Sequence, residues 1–229
     1  MPSPNDRAAA GFVPVVDDRP ADAAWGALVW PPPTGPLGGC FVELRPVDLD
    51  SDVDALFAAV DHDAVWQHVA GRPTSAAEYV VTLRGQLDVG RLPWVVRLAR
   101  PMAGLPAGTV VGTSSYLEAS VPDARLEIGS TAYTPAVWGS VVNPEVKLLL
   151  LSLAFDTLGA GRVQLKTDVR NVRSQRAVAR LGAHYEGTLR RYQRRTDGTV
   201  RDTVLFSVVA EEWPRVRAGL VERVAAAAN

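Results

Sequence analysis

The segment Tyr133 to Val142 lies immediately before a predicted helix and could hold an anion. Asn143 is suited to capping the first backbone donors of that helix, and Pro144 suits its first position because proline has no N–H group. A loop at the positive end of a helix can direct several N–H groups at a phosphate or pyrophosphate. The Gly-Lys-Ser/Thr ending of a nucleotide P-loop is missing. An ordinary strand-to-helix turn is the alternative interpretation, because most helix N-termini bind nothing beyond their own caps.

The elements around this loop form a strand-helix-strand unit. Arg125 to Tyr133 alternates as a strand does, and apolar residues then recur at helical spacing until Gly159 or Gly161. Arg162 to Thr167 is typical of the next strand. A crossover connection of this kind makes the two strands locally parallel.

The rest of the chain predicts further strands and helices around this unit. Asp48 or Asp50 can cap the first helix, Asn171 caps a later short one, and Asp197-Gly198 is a strong hairpin signal. The order predicts an α+β fold with a mixed sheet rather than an alternating doubly wound one. Strands are expected at residues 40–45, 94–98, 109–117, 184–194 and 200–210, and helices at 53–60, 75–87, 171–182 and 213–223.

Composition excludes several functional classes. With 24 Lys and Arg against 25 Asp and Glu, the net charge of -1 gives no overall field to attract nucleic acid or an anionic membrane. The single cysteine, Cys40, allows no disulfide framework, favours a reducing compartment, and is expected to be a buried thiol. The chain start lacks a secretory signal, and no apolar run approaches the roughly 20 residues that span a bilayer. We therefore expect a cytoplasmic protein with one large core.

The first 39 residues differ in composition from the rest. They are rich in Ala, Pro and Gly, which favours an extended or mobile lead-in. Trp25 and Trp30 support a second interpretation, in which the segment packs over the domain or over a second subunit, because large rings gain much from burial. We expect residues 1–39 to be an extension and residues 40–229 to be the folded domain.

Several short motifs along the chain occur in a specific order. Asn171-x-x-Ser174 opens a helix that ends in Leu-Gly, one strand after the loop described above. The other motifs are Leu44-Arg45-Pro46, Val111-Gly112, Leu126-Glu127-Ile128-Gly129, Trp138-Gly139 and Glu186-Gly187-x-Leu189-Arg190. Their order, from about Phe41 to Trp213, resembles that of the GNAT superfamily of acyl-CoA N-acyltransferases, in particular its RimJ/RimL-type branch.

The resemblance implies a fold, a cofactor and a set of contacts. The fold is a mixed, mostly antiparallel, splayed sheet flanked by helices, in which the 125–133 and 162–167 strands part to admit the pantetheine arm of acetyl-CoA or another acyl-CoA. No metal is implied, and His62, His68 and His184 lack metal-binding spacing. Val141 departs from the family pattern, which has a small residue there, so close approach to the cofactor could be hindered. The implied cofactor contacts are Ile128, Gly129, Val137, Trp138, Gly139, Ser140, Val141, Val142, Asn143, Asn171 and Ser174.

The same resemblance implies catalytic roles for two side chains. Glu127 is the candidate base that accepts the proton of the amine through a water molecule; alternatively it only pairs with an arginine such as Arg125. Backbone N–H groups near Gly129 could hold the thioester oxygen. Ser174 is expected to donate a hydrogen bond to the departing thiolate, or else to be a surface serine. Asn171 could bond to pantetheine, cap its helix, or do both.

Two further groups of residues have open interpretations. The arginine-rich hairpin is either a solvated ribbon or a positive rim for an acidic substrate or the ribose phosphate of the cofactor. Tyr133 and Tyr192 could line the acceptor site or simply pack. The arginines are Arg190, Arg191, Arg194, Arg195 and Arg201.

Three functional hypotheses follow. The first is an N-acetyltransferase in which a primary amine of a small molecule or a protein N-terminus attacks acetyl-CoA directly. The second is a non-catalytic module that binds or senses acyl-CoA, a hypothesis that the Val141 departure leaves open. The third is an interaction protein that uses the tryptophan-bearing N-terminus. The expected partners are an acyl-CoA and an amine acceptor, without nucleic acid or membrane, and the protein could be a monomer or a homodimer.

Overall fold

An open mixed sheet forms the centre of the computed structural model, which describes residues 13–17, 26–69, 71–195 and 197–228. Within these residues its eight strands lie in the order β1-β2-β3-β4-β5-β6-β8-β7. Neighbours are antiparallel except β5 and β6, which are parallel. The predicted α+β class is therefore confirmed. The strands are β1 (Leu37–Gly38), β2 (Val42–Pro46), β3 (Leu92–Leu98), β4 (Val110–Ser120), β5 (Arg125–Tyr133), β6 (Arg162–Asp168), β7 (His184–Arg194) and β8 (Val200–Val209).

Helices cover both faces of the sheet. The α4 helix continues into a π-helical turn, Leu153–Thr157, before the chain reverses at Gly159, whose φ of 69° suits glycine. No helix in the described ranges is long and apolar enough to cross a bilayer. The helices are α1 (Val53–Val60), α2 (Asp63–Trp66), α3 (Ala76–Asp88), α4 (Val142–Ser152), α5 (Val172–Ala179) and α6 (Trp213–Ala228).

Strand alternation divides the core into two clusters. In β3, Trp94 and Val96 face the larger cluster, beneath α4 and α6, whereas Val95 faces the smaller one, beneath α1 and α3. Successive side chains of a strand point to opposite faces, so a strand covered on both faces is apolar throughout. The sheet is thus a buried central layer that presents its strand ends for function.

Two local expectations are wrong. Cys40 is exposed rather than buried. Its backbone N–H donates a hydrogen bond to Glu145 Oε1 at 2.7 Å. Neither Asp48 nor Asp50 is the N-cap of α1, because Asp52 occupies that position. The carboxylate of Asp52 is buried and does not cap the helix, since the side chains of Arg45 and Arg97 bind it from the sheet, at 2.5 and 2.8 Å.

Residues 28–30 of the N-terminal segment pack against the domain of their own chain, whereas residues 13–17 are exposed. Leu28 is buried and donates its N–H to the carbonyl of Val121 at 3.0 Å, while Val29 donates to Leu158 at 2.9 Å. The Trp30 ring lies 6.2 Å from that of Tyr116. The expectation for Trp25 lies outside the described residues.

Candidate active site

A short turn after β5 sets the shape of the loop that leads into α4. Pro135–Val137 forms one turn of 3-10 helix, and the Trp138 indole N–H donates to the carbonyl of Tyr133 at 2.9 Å. The ring is therefore tied back to the end of the strand. Gly139 follows with a φ of 76°, a conformation that costs glycine little and other residues more.

The α4 helix begins one residue before the predicted cap. Val141 is the N-cap and Asn143 is the second residue of the helix, so the prediction that Asn143 caps it is wrong. The Ser140 hydroxyl takes that role, accepting the N–H of Val142 at 3.2 Å while donating to the carbonyl of Val137 at 2.6 Å. The N–H group of Val142 is therefore bonded by the Ser140 hydroxyl, and the Asn143 side chain does not cap the helix.

Three backbone N–H groups at this junction have no acceptor within the described residues. They belong to Gly139, Val141 and Asn143, whereas neighbouring amides bond within the turn. The side chain of Val141 is partly buried and packs against the larger core cluster. Unpaired donors at the positive end of a helix are what an anion such as pyrophosphate requires.

A gap opens beside this loop because β5 and β6 diverge. The two strands pair over only three positions, the last of which is Glu127 with Gln164. Beyond it β5 makes a bulge, where its register with β4 shifts and Ser130 has a φ of 46°. The predicted splayed sheet is confirmed. Between Glu127 and the bulge lie Ile128, which is buried against the larger core, and Gly129.

Gly129 leaves space for the carboxylate of Glu127. A Cβ atom at position 129 would lie 2.8 Å from Glu127 Oε1 and 2.7 Å from a methyl carbon of Leu117. Both distances are below normal van der Waals contact. The carboxylate therefore folds back over Gly129, on the sheet face opposite Ile128.

Glu127 pairs with a lysine and not with Arg125, the partner named in the alternative interpretation. Lys166 Nζ lies 2.8 Å from Glu127 Oε2, whereas Arg125 lies 3.4 Å from Asp123. Burial raises the pKa of the Glu127 carboxyl, and the hydrogen bond and charge of Lys166 oppose that shift. A carboxylate in this environment is a stronger base than an exposed one.

Asn171 and Ser174 lie at the start of α5, directly after β6. Asn171 Oδ1 accepts the N–H of Ser174 at 3.0 Å, so the predicted capping role is confirmed. The amide NH₂ of Asn171 and the hydroxyl of Ser174 have no partner in the described chain, and both side chains are half-buried. Two polar groups are thus available beside the gap.

A cation–π contact joins the two sides of the gap. The guanidinium carbon of Arg173, in the first turn of α5, lies 3.4 Å from the centroid of the Trp138 ring. Trp138 belongs to the loop after β5, and Arg173 to the helix after β6. The amide loop and the Asn171 cap are therefore neighbours, although no strand pairing connects them.

Three residues near the candidate site went unnoticed in the sequence. Lys166 contacts both Glu127 and Glu118, which only the arrangement of β4, β5 and β6 in the sheet reveals. Lys147 is fully buried on α4, where its Nζ donates to the hydroxyls of Ser114 at 2.9 Å and Thr131 at 2.7 Å. A lysine within an apolar helical run was the available signal for Lys147.

The arginine-rich hairpin divides into different environments. Arg195 makes a two-pronged contact with Asp168, at 2.6 and 2.7 Å, and Arg201 is half-buried and donates to Thr203 Oγ1 at 3.1 Å. Arg190, Arg191 and Arg194 have exposed side chains. Of the two tyrosines, Tyr133 is buried in the larger core, whereas Tyr192 reaches Lys166. No group of three His, Cys, Asp or Glu residues in the described ranges could hold a metal ion.

Comparisons with known proteins agree with this geometry. The acetyltransferase (GNAT) domain family matches residues 42–184. The N-acetyltransferase YoaA of Bacillus subtilis (strain 168), itself uncharacterized, is 25% identical over 167 residues, covering 70% of this chain and 89% of YoaA. A protein from T. thermophilus, assigned as an acetyltransferase, is 38% identical, with a TM-score of 0.73 over 85% of this chain and 99% of its own. A GCN5-related N-acetyltransferase from Brucella melitensis is 26% identical, with a TM-score of 0.78 over 87% of this chain and 89% of its own.

Proposed function

The chain belongs to the GNAT family of acetyltransferases, and from that premise we propose that it transfers an acetyl group from acetyl-CoA to a primary amine of a small molecule or a protein N-terminus. Residues 40–229 form the catalytic domain, and residues 1–39 are an extension of it. The observation that carries the proposal is the junction where β5 leaves β6. Unpaired amides meet an open strand gap there. The single cysteine supports a reducing, cytoplasmic location.

The residues of this junction fit the chemical groups of coenzyme A. The N–H groups of Gly139, Val141 and Asn143 suit the pyrophosphate, because they are unpaired donors at a helix N-terminus. The unpaired backbone of β5 beyond Glu127 suits an extended chain with amide groups, such as pantetheine, which can bond to it as an added strand. The free NH₂ of Asn171 suits a pantetheine carbonyl. Bound acetyl-CoA supplies an acyl thioester that is open to attack by an amine.

Other cofactor contacts come from the same two segments. Val137, Trp138, Ser140 and Val142 shape the loop around the unpaired amides, and Ile128 and Gly129 form the strand edge where the gap begins. The tie between Trp138 and Tyr133 holds the loop against the sheet. A cofactor therefore meets a loop whose backbone is already in place.

Three groups of the chain serve the acyl transfer. Glu127 accepts the proton of the amine through a water molecule, since a buried carboxylate with a raised pKa is a better base than an exposed one. N–H groups near Gly129 stabilise the negative charge that develops on the carbonyl oxygen. The hydroxyl of Ser174 donates a hydrogen bond to the sulfur as it leaves.

Binding and turnover can be tested separately. Calorimetric titration with coenzyme A tests the amide junction, and release of free thiol from acetyl-CoA in the presence of an amine tests catalysis. We expect micromolar binding and amine-dependent release when free amines, aminoglycoside-type polyamines and peptides with free N-termini are screened. Binding without release for any amine would support the sensing module. Absence of binding would remove the proposal entirely.

Two substitutions locate the reaction within the fold. Ser174→Ala and Glu127→Gln are each expected to lower turnover at least tenfold, with little change in coenzyme A affinity, because both groups act on the reacting atoms. Gln175→Ala is a matched control on the same helix, since its side chain donates to the carbonyl of Val169, on the connection before the helix. Full activity in both site variants would contradict the assignment.

A further inference from the structure

Three other strands bring polar side chains to the surroundings of Glu127 on one face of the sheet. Lys166, from β6, contacts Glu127 at 2.8 Å and both carboxylate oxygens of Glu118, from β4, at 3.0 Å. Its Nζ also donates to the hydroxyl of Tyr192, from β7, at 3.0 Å and lies 5.1 Å from that ring. Gln164 donates weakly to Glu127 at 3.4 Å. One ammonium group therefore serves two carboxylates.

The two carboxylates that share Lys166 differ in exposure. The side chains of Lys166 and Glu127 are 8% and 9% exposed, whereas that of Glu118 is 51% exposed. A charge pair removed from water interacts more strongly than one screened by solvent. Lys166 thus interacts more strongly with Glu127 than with Glu118, and Glu118 competes for the same ammonium group.

The charged groups around Glu127 come from several segments of this face of the sheet. Lys166 opposes the rise of the Glu127 pKa that burial causes, and Glu118 adds to that rise. Burial would lower the pKa of Lys166, but its hydrogen bonds to Glu127 and Tyr192 raise it overall. Arg201, from β8, is a more distant cation that also interacts electrostatically with Glu127. Asp168 and Arg195 pair with each other, and Arg162, on the same face of β6 as Lys166, pairs with Glu186.

We propose that Lys166 is a positioning residue that holds the Glu127 carboxylate ionised and directed, and that Glu118 tunes it by competing for the same ammonium. The inference rests on the proposed function, since it concerns the base of that reaction. It adds a control element that spans β4, β5 and β6. The geometry makes the basicity of Glu127 a property of the cluster rather than of one side chain.

The proposal predicts opposite shifts for two substitutions. A base works only when ionised, so activity falls as the pH drops through its pKa. Lys166→Met removes the stabilising cation, and the acidic limb of the kcat/KM profile should move up by about one pH unit or more. Glu118→Gln removes the carboxylate that competes with Glu127 for Lys166. The acidic limb should then move to lower pH by a few tenths of a unit, because Glu118 is half-exposed and its charge is screened. Lys166→Arg should restore most of the normal profile.

Direct titration gives a readout that does not depend on activity. The carboxyl carbons of ¹³C-labelled glutamates can be followed by NMR as a function of pH in cofactor-free protein, with Glu127→Gln assigning the signal. We expect the pKa of Glu127 to rise in Lys166→Met and fall in Glu118→Gln. Arg125→Gln is the matched control, since Arg125 is on the same strand but contacts Asp123. In this variant the pKa of Glu127 should change by less than about 0.3 unit.

The outcomes separate this inference from the proposed function. An unchanged Glu127 pKa in both Lys166→Met and Glu118→Gln overturns the inference while leaving acetyl transfer intact. If Glu127→Gln keeps full activity and the acidic limb, the role of Glu127 as base is lost and the inference falls with it. Should Lys166→Met fail to fold, Glu118→Gln still decides the matter, because its exposed site tolerates the change.

Discussion

Arg173 stacks on Trp138 with its guanidinium carbon 3.4 Å from the ring centroid, across the mouth of the gap between β5 and β6. The same indole donates its N–H to Tyr133, so the ring is held on one side by the sheet and on the other by α5. Two segments that diverge in the sheet are thereby joined beyond it. The contact couples the position of the amide loop to that of the Asn171 cap.

Loss of the Arg173 stack should weaken coenzyme A binding. Arg173→Met removes a contact of about 0.5–1 kcal/mol that orders the loop, which corresponds to a loss of affinity of roughly two- to fivefold by calorimetry. Arg176→Met is the matched control, since Arg176 is exposed in the same helix. Equal affinities for the two variants would show that the stack does not order the loop.

Asn171 can be tested for capping and for ligand binding separately. Asn171→Ala should lower stability by about 1 kcal/mol, because the N–H of Ser174 loses its acceptor. Asn171→Asp and Asn171→Ser keep a capping oxygen, so their melting temperatures should stay near that of the wild type. We expect the KM for acetyl-CoA to remain raised about tenfold in both, because neither has the amide NH₂. Recovery of KM together with the melting temperature would mean that Asn171 only caps α5.

Lys147 should make the stability of the protein depend on pH. Burial lowers its pKa to about 7 from 10.5, and within the described residues it bonds to two hydroxyls and to no carboxylate. Above pH 7 the folded state releases a proton that the unfolded state retains up to about pH 10.5, so this group makes the fold more stable as pH rises through that window. Below pH 7 both states are charged, and the full cost of burial is present.

Lys147→Met should remove that dependence. In urea unfolding at pH 6, the free energy of unfolding of the variant should exceed that of the wild type by a few kcal/mol. This difference should decrease by about 1.4 kcal/mol per pH unit between pH 7 and 10. Leu148→Met, at the next position of the helix, is the control and should show no such trend. A difference between variant and wild type that is constant across this pH range would contradict the assignment.

Glu145 should be important for stability rather than for catalysis. Its carboxylate accepts the N–H groups of Cys40, Phe41 and Val42 at 2.7, 2.7 and 2.8 Å, and a Cβ on Gly39 would lie 2.5 Å from its Cδ atom. Glu145→Gln turns an acceptor into a donor facing those amides, so we expect a loss of about 2–4 kcal/mol in chemical unfolding.

A control on the strand next to Glu145 sharpens this test. Glu43→Gln changes an exposed carboxylate on β2 and should alter stability by less than about 0.5 kcal/mol. Gly39→Ala should destabilise the protein through the close contact with Glu145. A mild effect of Glu145→Gln, similar to that of Glu43→Gln, would mean that solvent replaces the lost bonds.

Local signals predicted the elements of the site better than the partners of its side chains. Asn171 was expected to cap α5 and does so, because capping needs only residues within one turn. Asn143 was expected to cap α4 and does not, since Ser140 upstream satisfies the first amide. The partner of Glu127 is Lys166, which lies on β6 two positions beyond the register partner Gln164 and is distant from Glu127 in the sequence.

The amino-acid sequence alone predicted the order of strands and helices, apart from the short β1 and α2, and the crossover between β5 and β6; the place where a phosphate could bind stays a prediction. These depend on periodicity, turn residues and helix ends, which are short-range properties. Only the tertiary structure decided that the pairing of β5 and β6 ends at Glu127, that Lys166 is shared by two carboxylates, and that Lys147 is buried with no counter-charge among the described residues. Strand register and desolvation depend on which distant residues pack together, so no local pattern specifies them.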